Sequence, residues 1–193
     1  MARPKAFFNL DTDEEKIRAM QFTCDVVTGS DTSLWISPVD HSGTLTMYTK
    51  NHPLQMNFIA DDRNSLFVRL DDPLLKRILA EVEGKVMAVA PQPEQTNDLI
   101  SRDASGRFGD TLKLKCRYTQ WVDANTGDEM TAEEALSSKK NRITSWVIQV
   151  YRLNLFRGRW YYAVNVISAK VSRASESPPV AGKRKREDFT QYL

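Results

Sequence analysis

The sequence predicts a mainly β protein with a minor helical part. Short runs rich in β-branched and aromatic residues recur along residues 21–70, and clusters of Gly, Asn, Asp and Ser separate them. Strands of this length and spacing are typical of an antiparallel sandwich or barrel. The five strands predicted here are residues 21–27, 33–37, 43–49, 55–60 and 65–70.

Helical signals occur at three places. Capping boxes, in which Thr is followed three positions later by Glu, open the first and the third. The second has apolar residues at helical spacing, with Pro73 at its first position and Gly84 after its last. The boxes are Thr12 with Glu15 and Thr131 with Glu134. The predicted helices are residues 14–20, 73–83 and 133–138.

The segment after the main helix is predicted to be irregular. Residues 85–90 return to strand character, and residues 91–110 are polar and rich in turn-forming residues. We expect a flexible loop over residues 91–110, because loops this long are uncommon unless they are functional or disordered.

Charge is polarised along the chain, although the net charge is only +2. Residues 1–99 carry 10 Lys and Arg against 15 Asp and Glu, whereas residues 100–173 carry 13 against 7. Such a chain can present a positive surface to a polyanion while it stays soluble. No apolar run approaches the ~20 residues that cross a bilayer, so no membrane partner is predicted.

Residues 111–122 alternate as one strand. One face, Leu112, Leu114, Cys116 and Tyr118, is expected to be buried, and the other presents Lys113, Lys115, Arg117, Thr119 and Trp121. Since successive side chains of a strand point to opposite faces, three cations and one Trp would share a surface.

Two further strands, residues 143–156 and 159–171, are predicted to form a hairpin that turns at Arg157 and Gly158. On the second strand Arg159 and Tyr161 lie on the exposed face. Four aromatic residues of the hairpin are assigned to the core: Trp146, Tyr151, Trp160 and Tyr162.

Cations interleaved with aromatic rings suit single-stranded nucleic acid, because its phosphates need Lys and Arg and its bases need flat rings to stack on. The sequence therefore predicts a non-enzymatic binding module that needs no cofactor. The predicted binding residues are Lys113, Lys115, Arg117, Trp121, Arg152, Arg157, Arg159 and Tyr161. DNA is favoured over RNA, and formation of a homo-oligomer is left open.

The chain is predicted to be one domain, residues 1–172, followed by a disordered basic tail, residues 173–193. Within the tail, the cluster Lys183, Arg184, Lys185 and Arg186 is typical of a nuclear-localisation signal or of nucleic-acid contacts. The acidic and aromatic residues after it suggest a docking peptide for a protein partner.

Two alternative functions remain open at this stage. The first is a viral structural or protein-interaction module with a β-sandwich core. The second is a metal-dependent nuclease that uses the acidic pairs Asp61–Asp62 and Asp71–Asp72. Turn and cap chemistry also explains these pairs, and the two cysteines and two histidines are too scattered for a zinc site.

The last strands resemble a known family. The stretch VIQVYRLNLFRGRWYYAVNVISAKV, preceded by TLKLKCRYTQWV, is similar to the closing strands of oligonucleotide-binding (OB) folds. It resembles the replicative single-stranded DNA-binding proteins of T7-like phages and other DNA viruses, over residues 111–171. The resemblance implies an OB-like antiparallel barrel with one main helix and additional N-terminal strands, acting in DNA replication or recombination. That family ends in a long acidic tail, so the basic cluster here points to a viral protein that works in a host nucleus.

Overall fold

The computed structural model of the chain describes residues 3–107 and 109–174, and their fold is mainly β, with 46% strand and 18% helix. The helices are α1 (Glu14–Ala19), α2 (Pro73–Val89) and α3 (Ala132–Ala135), and a 3₁₀ turn covers Pro93–Gln95. The first six strands are β1 (Lys5–Asn9), β2 (Phe22–Val26), β3 (Ser33–Pro38), β4 (Ser42–Thr49), β5 (Leu54–Ile59) and β6 (Ser65–Arg69). The other six are β7 (Ile100–Ser101), β8 (Thr111–Lys115), β9 (Gln120–Asp123), β10 (Glu129–Met130), β11 (Arg142–Phe156) and β12 (Arg159–Ser172).

All twelve strands belong to one mixed sheet, part of which closes into a partial ring. Hydrogen bonding runs from β11 through β5, β6 and β8 to β12, and β12 pairs again with β11 along the long hairpin. The return from β11 to β5 is short, with Arg142 opposite Gln55 and Ile143 opposite Leu54. The predicted hairpin is confirmed, and its strands form the longest pairing in the sheet.

The prediction of a purely antiparallel sheet is wrong. Three pairs are parallel: β1 with β4, β8 with β12, and β9 with β12. Parallel neighbours need a crossover connection, and the chain supplies one between β8 and β12, where β9, β10, α3 and β11 intervene.

Additional N-terminal strands lie outside the ring, as predicted. β4 pairs with β11, and β3 pairs with β11 and with β2. The outermost strand on one side, β1, was not predicted. It has only five residues, KAFFN, in which Ala6 and Phe8 are buried.

The main helix is longer than predicted. α2 continues through Gly84 to Val89, so the strand predicted at residues 85–90 is wrong. Val82 and Val86 are both buried and extend the apolar stripe of the helix by another turn. Burial of that stripe outweighs the cost of about 1 kcal/mol that a glycine imposes inside a helix.

The two predicted capping boxes differ in outcome. The Thr131 hydroxyl accepts from the backbone N–H of Glu134, and the Glu134 carboxylate accepts from that of Thr131, so the second box is present. α1 begins one residue later than its predicted box requires. Its N-cap is Asp13, whose carboxylate instead accepts from the backbone N–H of Asn9.

Residues 91–110 are not a plain loop. Thr96 bridges to Trp160 of β12, and β7 pairs with β8, so this segment connects two strands of the ring. Arg102 anchors the segment to α2 by donating two hydrogen bonds of 3.1 and 3.0 Å to the buried carboxylate of Glu83. The hydrogen bond to Glu83 raises the pKa of Arg102.

Candidate nucleic-acid interface

A groove opens where β8 and β12 separate. The two strands pair at a single position, Lys115 opposite Asn165. Residues 96–101 occupy the gap between them, because Asn97 donates its backbone N–H to the carbonyl of Trp160 and β7 pairs with β8. The resulting groove has a volume of about 800 Å³. It is large enough for one or more nucleobases, as small-molecule pockets of ~300–1,000 Å³ are.

Aromatic side chains line the groove on both sides, half-buried on one and exposed on the other. Phe67 of β6 lies on one side, and Phe156 and Tyr161 of the hairpin lie on the other. Phe156 is 59% exposed and Tyr161 is 42% exposed, and their rings meet edge to face with centroids 6.4 Å apart. Phe58 extends the first side, with its ring 5.8 Å from that of Phe67. Rings exposed in this way can accept stacked bases.

Cations stand beside these rings. Lys113 and Lys115 of β8 and Arg159 of β12 all line the groove. The Lys113 ammonium lies 5.7 Å from the centroid of Phe67. Lys115 is partly buried, and burial, followed by the nearby charges of Lys113 and Arg152, lowers its pKa. An anion that approaches a lysine in this position stabilises the charged form of the lysine.

Two more predicted arginines flank the groove. Arg157 lies at the tip of the hairpin with a φ of 49°, and its guanidinium is 5.1 Å from the Phe156 centroid. Arg152 of β11 lies over the ring of Trp35, 4.2 Å from its centroid. Its charge reaches Lys115, so it borders the same electropositive region.

These cations have no carboxylate partners. Within the described part of the chain, none of them forms an ion pair or a side-chain hydrogen bond with Asp or Glu; they are Lys113, Lys115, Arg152, Arg157 and Arg159. Asp98 is the acidic residue of the groove wall, and it accepts a hydrogen bond of 2.8 Å from Arg102. The groove therefore keeps its positive charge available for a ligand.

The prediction that Trp121 is an exposed stacking platform is wrong, because it is only 1% exposed. Residues 111–122 form two strands rather than one, with a turn in which Thr119 donates its N–H to the carbonyl of Cys116. The turn breaks the alternation, so Tyr118, expected in the core, is 86% exposed. Arg117 lies in the same turn, 5.3 Å from the Tyr118 centroid, and does not line the groove.

Sequence reasoning missed three residues of the interface. Phe67 lies between the buried Leu66 and Val68, so strict alternation along β6 would have placed it on the outer face. Phe156 and Asn154 also line the groove, on the first strand of the predicted hairpin. Their exposure depends on an irregularity near Tyr151 that shifts the register of β11, and no pattern in the sequence indicates it.

The acidic pairs are engaged in local structure. The Asp62 carboxylate accepts from the backbone and side-chain amides of Asn64, and Asp71 pairs with Arg69. Asp72 caps α2 and contacts His52. Among the described residues, no group of three or more His, Cys, Asp and Glu side chains is placed to hold a metal ion.

The basic cluster Lys183, Arg184, Lys185 and Arg186 lies outside the described residues, as does almost all of the predicted tail. In the described ranges, no helix has the length and apolar character to cross a membrane.

No family model matches the chain, and a search of curated proteins finds no match either. A functional assignment therefore has to come from the contacts of the chain's own residues.

Proposed function

We propose that this protein binds single-stranded nucleic acid, DNA in preference to RNA, with little sequence preference. The observation that carries the proposal is the groove itself, in which cations that pair with no carboxylate among the described residues stand beside exposed rings. Lys113, Lys115 and Arg159 would neutralise phosphates, and Phe156 and Tyr161 would stack bases. Neither contact reads base identity, because every phosphate carries the same charge and every base has a π-face.

An OB-like arrangement of the ring supports this assignment. If β5, β6, β8, β11 and β12 are numbered as strands one to five of a barrel, strands two and three are β6 and β8. OB folds bind oligonucleotides on the face of those strands and with the loops after strands one and four. Here β6 and β8 carry Phe67, Lys113 and Lys115, and the loop after β11 carries Arg157.

We further propose an accessory role in DNA replication or recombination, without catalysis. The basic cluster at residues 183–186 would direct the protein to the nucleus, in keeping with a viral protein of a nucleated host. The last residues of the chain would engage a protein partner.

Fluorescence polarisation with labelled oligo-dT, at low and at moderate salt, tests the proposal. Affinity should fall steeply with salt, because each phosphate contact on a single strand contributes about −0.7 to the slope of log K against log salt. Five contacting cations would give a slope of roughly −3.5. An oligo-U of equal length should bind more weakly, and duplex DNA more weakly still. Absence of saturable oligo-dT binding at low salt would contradict the proposal.

A further inference from the structure

A second cationic and aromatic cluster lies outside the ring, beside the groove. Arg152 of β11 has its guanidinium 4.2 Å from the ring centroid of Trp35 and 5.2 Å from that of Tyr151. The two rings are 6.1 Å apart and inclined at 50°. Trp35 belongs to β3, which pairs with β11 on the side opposite to β12. We call these three residues the β3 cluster.

Ring faces alone hold the guanidinium of Arg152. Its Nε is buried and has no hydrogen-bond acceptor in the described part of the chain. No carboxylate among those residues pairs with it. A guanidinium positioned by aromatic rings belongs to a preorganised surface on which a base can stack, and its charge stays available to a phosphate.

The β3 cluster is continuous with the groove. Arg152 lies opposite Trp35 on one neighbouring strand and opposite Ala163 on the other. Two residues further on, Asn154 lines the groove and accepts a hydrogen bond of 3.1 Å from the Ser33 hydroxyl of β3. Arg152 also contributes to the lowered pKa of Lys115, which lines the groove. On these strands, no carboxylate lies between the groove and the β3 cluster.

A nucleic-acid strand that crosses from the groove to β3 would meet a negative charge beyond β3. On β2, the strand beyond β3, Asp25 lies directly opposite Trp35, so the next position carries a negative charge. From β6 to β3 there are about five interstrand spacings of ~4.8 Å, or roughly 24 Å in all, because residues 96–101 fill the gap between β8 and β12. At ~3.4 Å or more per nucleotide, that distance takes roughly five to seven nucleotides of single strand.

We propose that a single strand leaving the groove crosses β11 and stacks a base on the β3 cluster, which thereby sets the length of strand the protein prefers. The inference rests on the proposed function, because it assumes that the groove holds nucleic acid. It adds a base-stacking site at Trp35 and Tyr151, on strands outside the face that OB folds use to bind oligonucleotides.

The test compares a short oligo-dT of about 4 nucleotides, which is too short to reach the β3 cluster, with a long one of about 12 nucleotides. Trp35→Leu should weaken binding of the long oligomer roughly 5- to 30-fold, as expected for loss of one stacked base. Binding of the short oligomer should change less than about twofold, because it fits inside the groove. Trp35→Phe, which keeps a ring, should restore most of the affinity for the long oligomer.

Tyr151→Leu gives the same test at the second ring of the β3 cluster, if Trp35→Leu fails to fold in a thermal melt. Phe7→Leu is the matched control, since Phe7 stacks on Tyr48 at the β1 edge, 4.9 Å between centroids, and lies outside both the groove and the β3 cluster. Unchanged binding of the long oligomer by Trp35→Leu and Tyr151→Leu, or equal losses at both lengths, would overturn the inference while leaving the proposed function standing. No binding of either length by the wild type would overturn both.

Discussion

The groove and the α1–α2 surface use their cations in opposite ways. On the helices every Lys and Arg has a partner within the chain. Lys16, Arg18, Lys76 and Arg77 each pair with a carboxylate, and Lys85 donates to the carbonyls of Arg18 and Met20. Five cations in or beside the groove pair with none in the described ranges: Lys113, Lys115, Arg152, Arg157 and Arg159. Lys113, Arg152 and Arg157 each lie near an aromatic ring instead.

The difference separates structural charge from charge that is available to a ligand. Exposed ion pairs contribute little to stability, about 0–1 kcal/mol, but they cancel the field of each cation. Cations left without carboxylates keep their field, and they can have a cost: at Lys115, burial first and then the charges of Lys113 and Arg152 lower the pKa, which disfavours the charged form. A surface that bears such a cost is a candidate for function.

The largest expected effect comes from removing two cations of the groove. Lys113→Gln combined with Lys115→Gln should weaken oligo-dT binding about 10- to 100-fold at low salt, because two phosphate contacts are lost. The salt slope should become shallower by about 1.4. Polarisation titrations at several salt concentrations measure both.

The matched control is Lys16→Gln combined with Lys76→Gln, which removes the same charge from the paired helix surface. It should leave affinity within about twofold and the slope unchanged, since it touches no phosphate. Equal losses in the two double variants would mean that net charge, rather than the groove, governs binding.

The next effect concerns the rings. Tyr161→Ala should weaken oligo-dT binding about 5- to 30-fold, corresponding to ~1–2 kcal/mol for one lost base stack, with the salt slope unchanged. Tyr118→Ala is the control, because Tyr118 is the more exposed ring and lies outside the groove. If Tyr118→Ala is the more damaging variant, the interface lies at the β8–β9 turn instead.

A stability effect comes third, on the paired side of the molecule. Asp72 caps α2 by accepting from the N–H of Leu75, and it contacts Nδ1 of His52 at 2.5 Å. Asp72→Ala should lower the free energy of unfolding by about 1–2 kcal/mol, as loss of a helix cap does. Urea denaturation measures it, and oligo-dT affinity should not change.

The pH dependence of that effect has a definite sign. Burial is the largest influence on the pKa of Asp72 and raises it, but hydrogen bonds from His52 and Leu75 outweigh burial, so the pKa is lowered from 3.8. The stabilisation is therefore complete above pH ~4 and is lost as the pH falls below that. The difference between wild type and Asp72→Ala should shrink at acid pH. Asp71→Ala, which removes only an exposed pair with Arg69, should cost less than about 0.5 kcal/mol.

The smallest expected effect tests the comparison at Lys115 alone. Lys115→Met should weaken binding but slightly raise the melting temperature, because it removes a partly buried cation beside Lys113 and Arg152. The unfolded state binds more protons than the folded state between the two pKa values of Lys115, so this stability gain should diminish as pH rises through them. A lower melting temperature at neutral pH would show that the Lys115 charge has an internal partner.

Local patterns predicted most elements of the fold. Alternation and turn chemistry located β2 to β6, β11 and β12, because each is a run rich in apolar residues that begins or ends at turn-forming residues. The sequence also indicated the cationic face of β8, since Lys113 and Lys115 alternate with the buried Leu112 and Leu114. Prediction failed where packing overrode a local signal, as at Gly84, or where a turn reset the alternation, as at Trp121.

By itself, the sequence determined a mainly β chain, a long basic hairpin and the types of residue that the groove uses. Only the tertiary structure decided which of them meet. Residues 67, 113 and 161 are far apart along the chain, and they line one groove because a crossover brings β8 alongside β12 and a single pairing at Lys115 lets the strands diverge. Alternation fixes the side of a strand on which a residue lies. Pairing between distant strands fixes its neighbours, and that depends on contacts that no local pattern encodes.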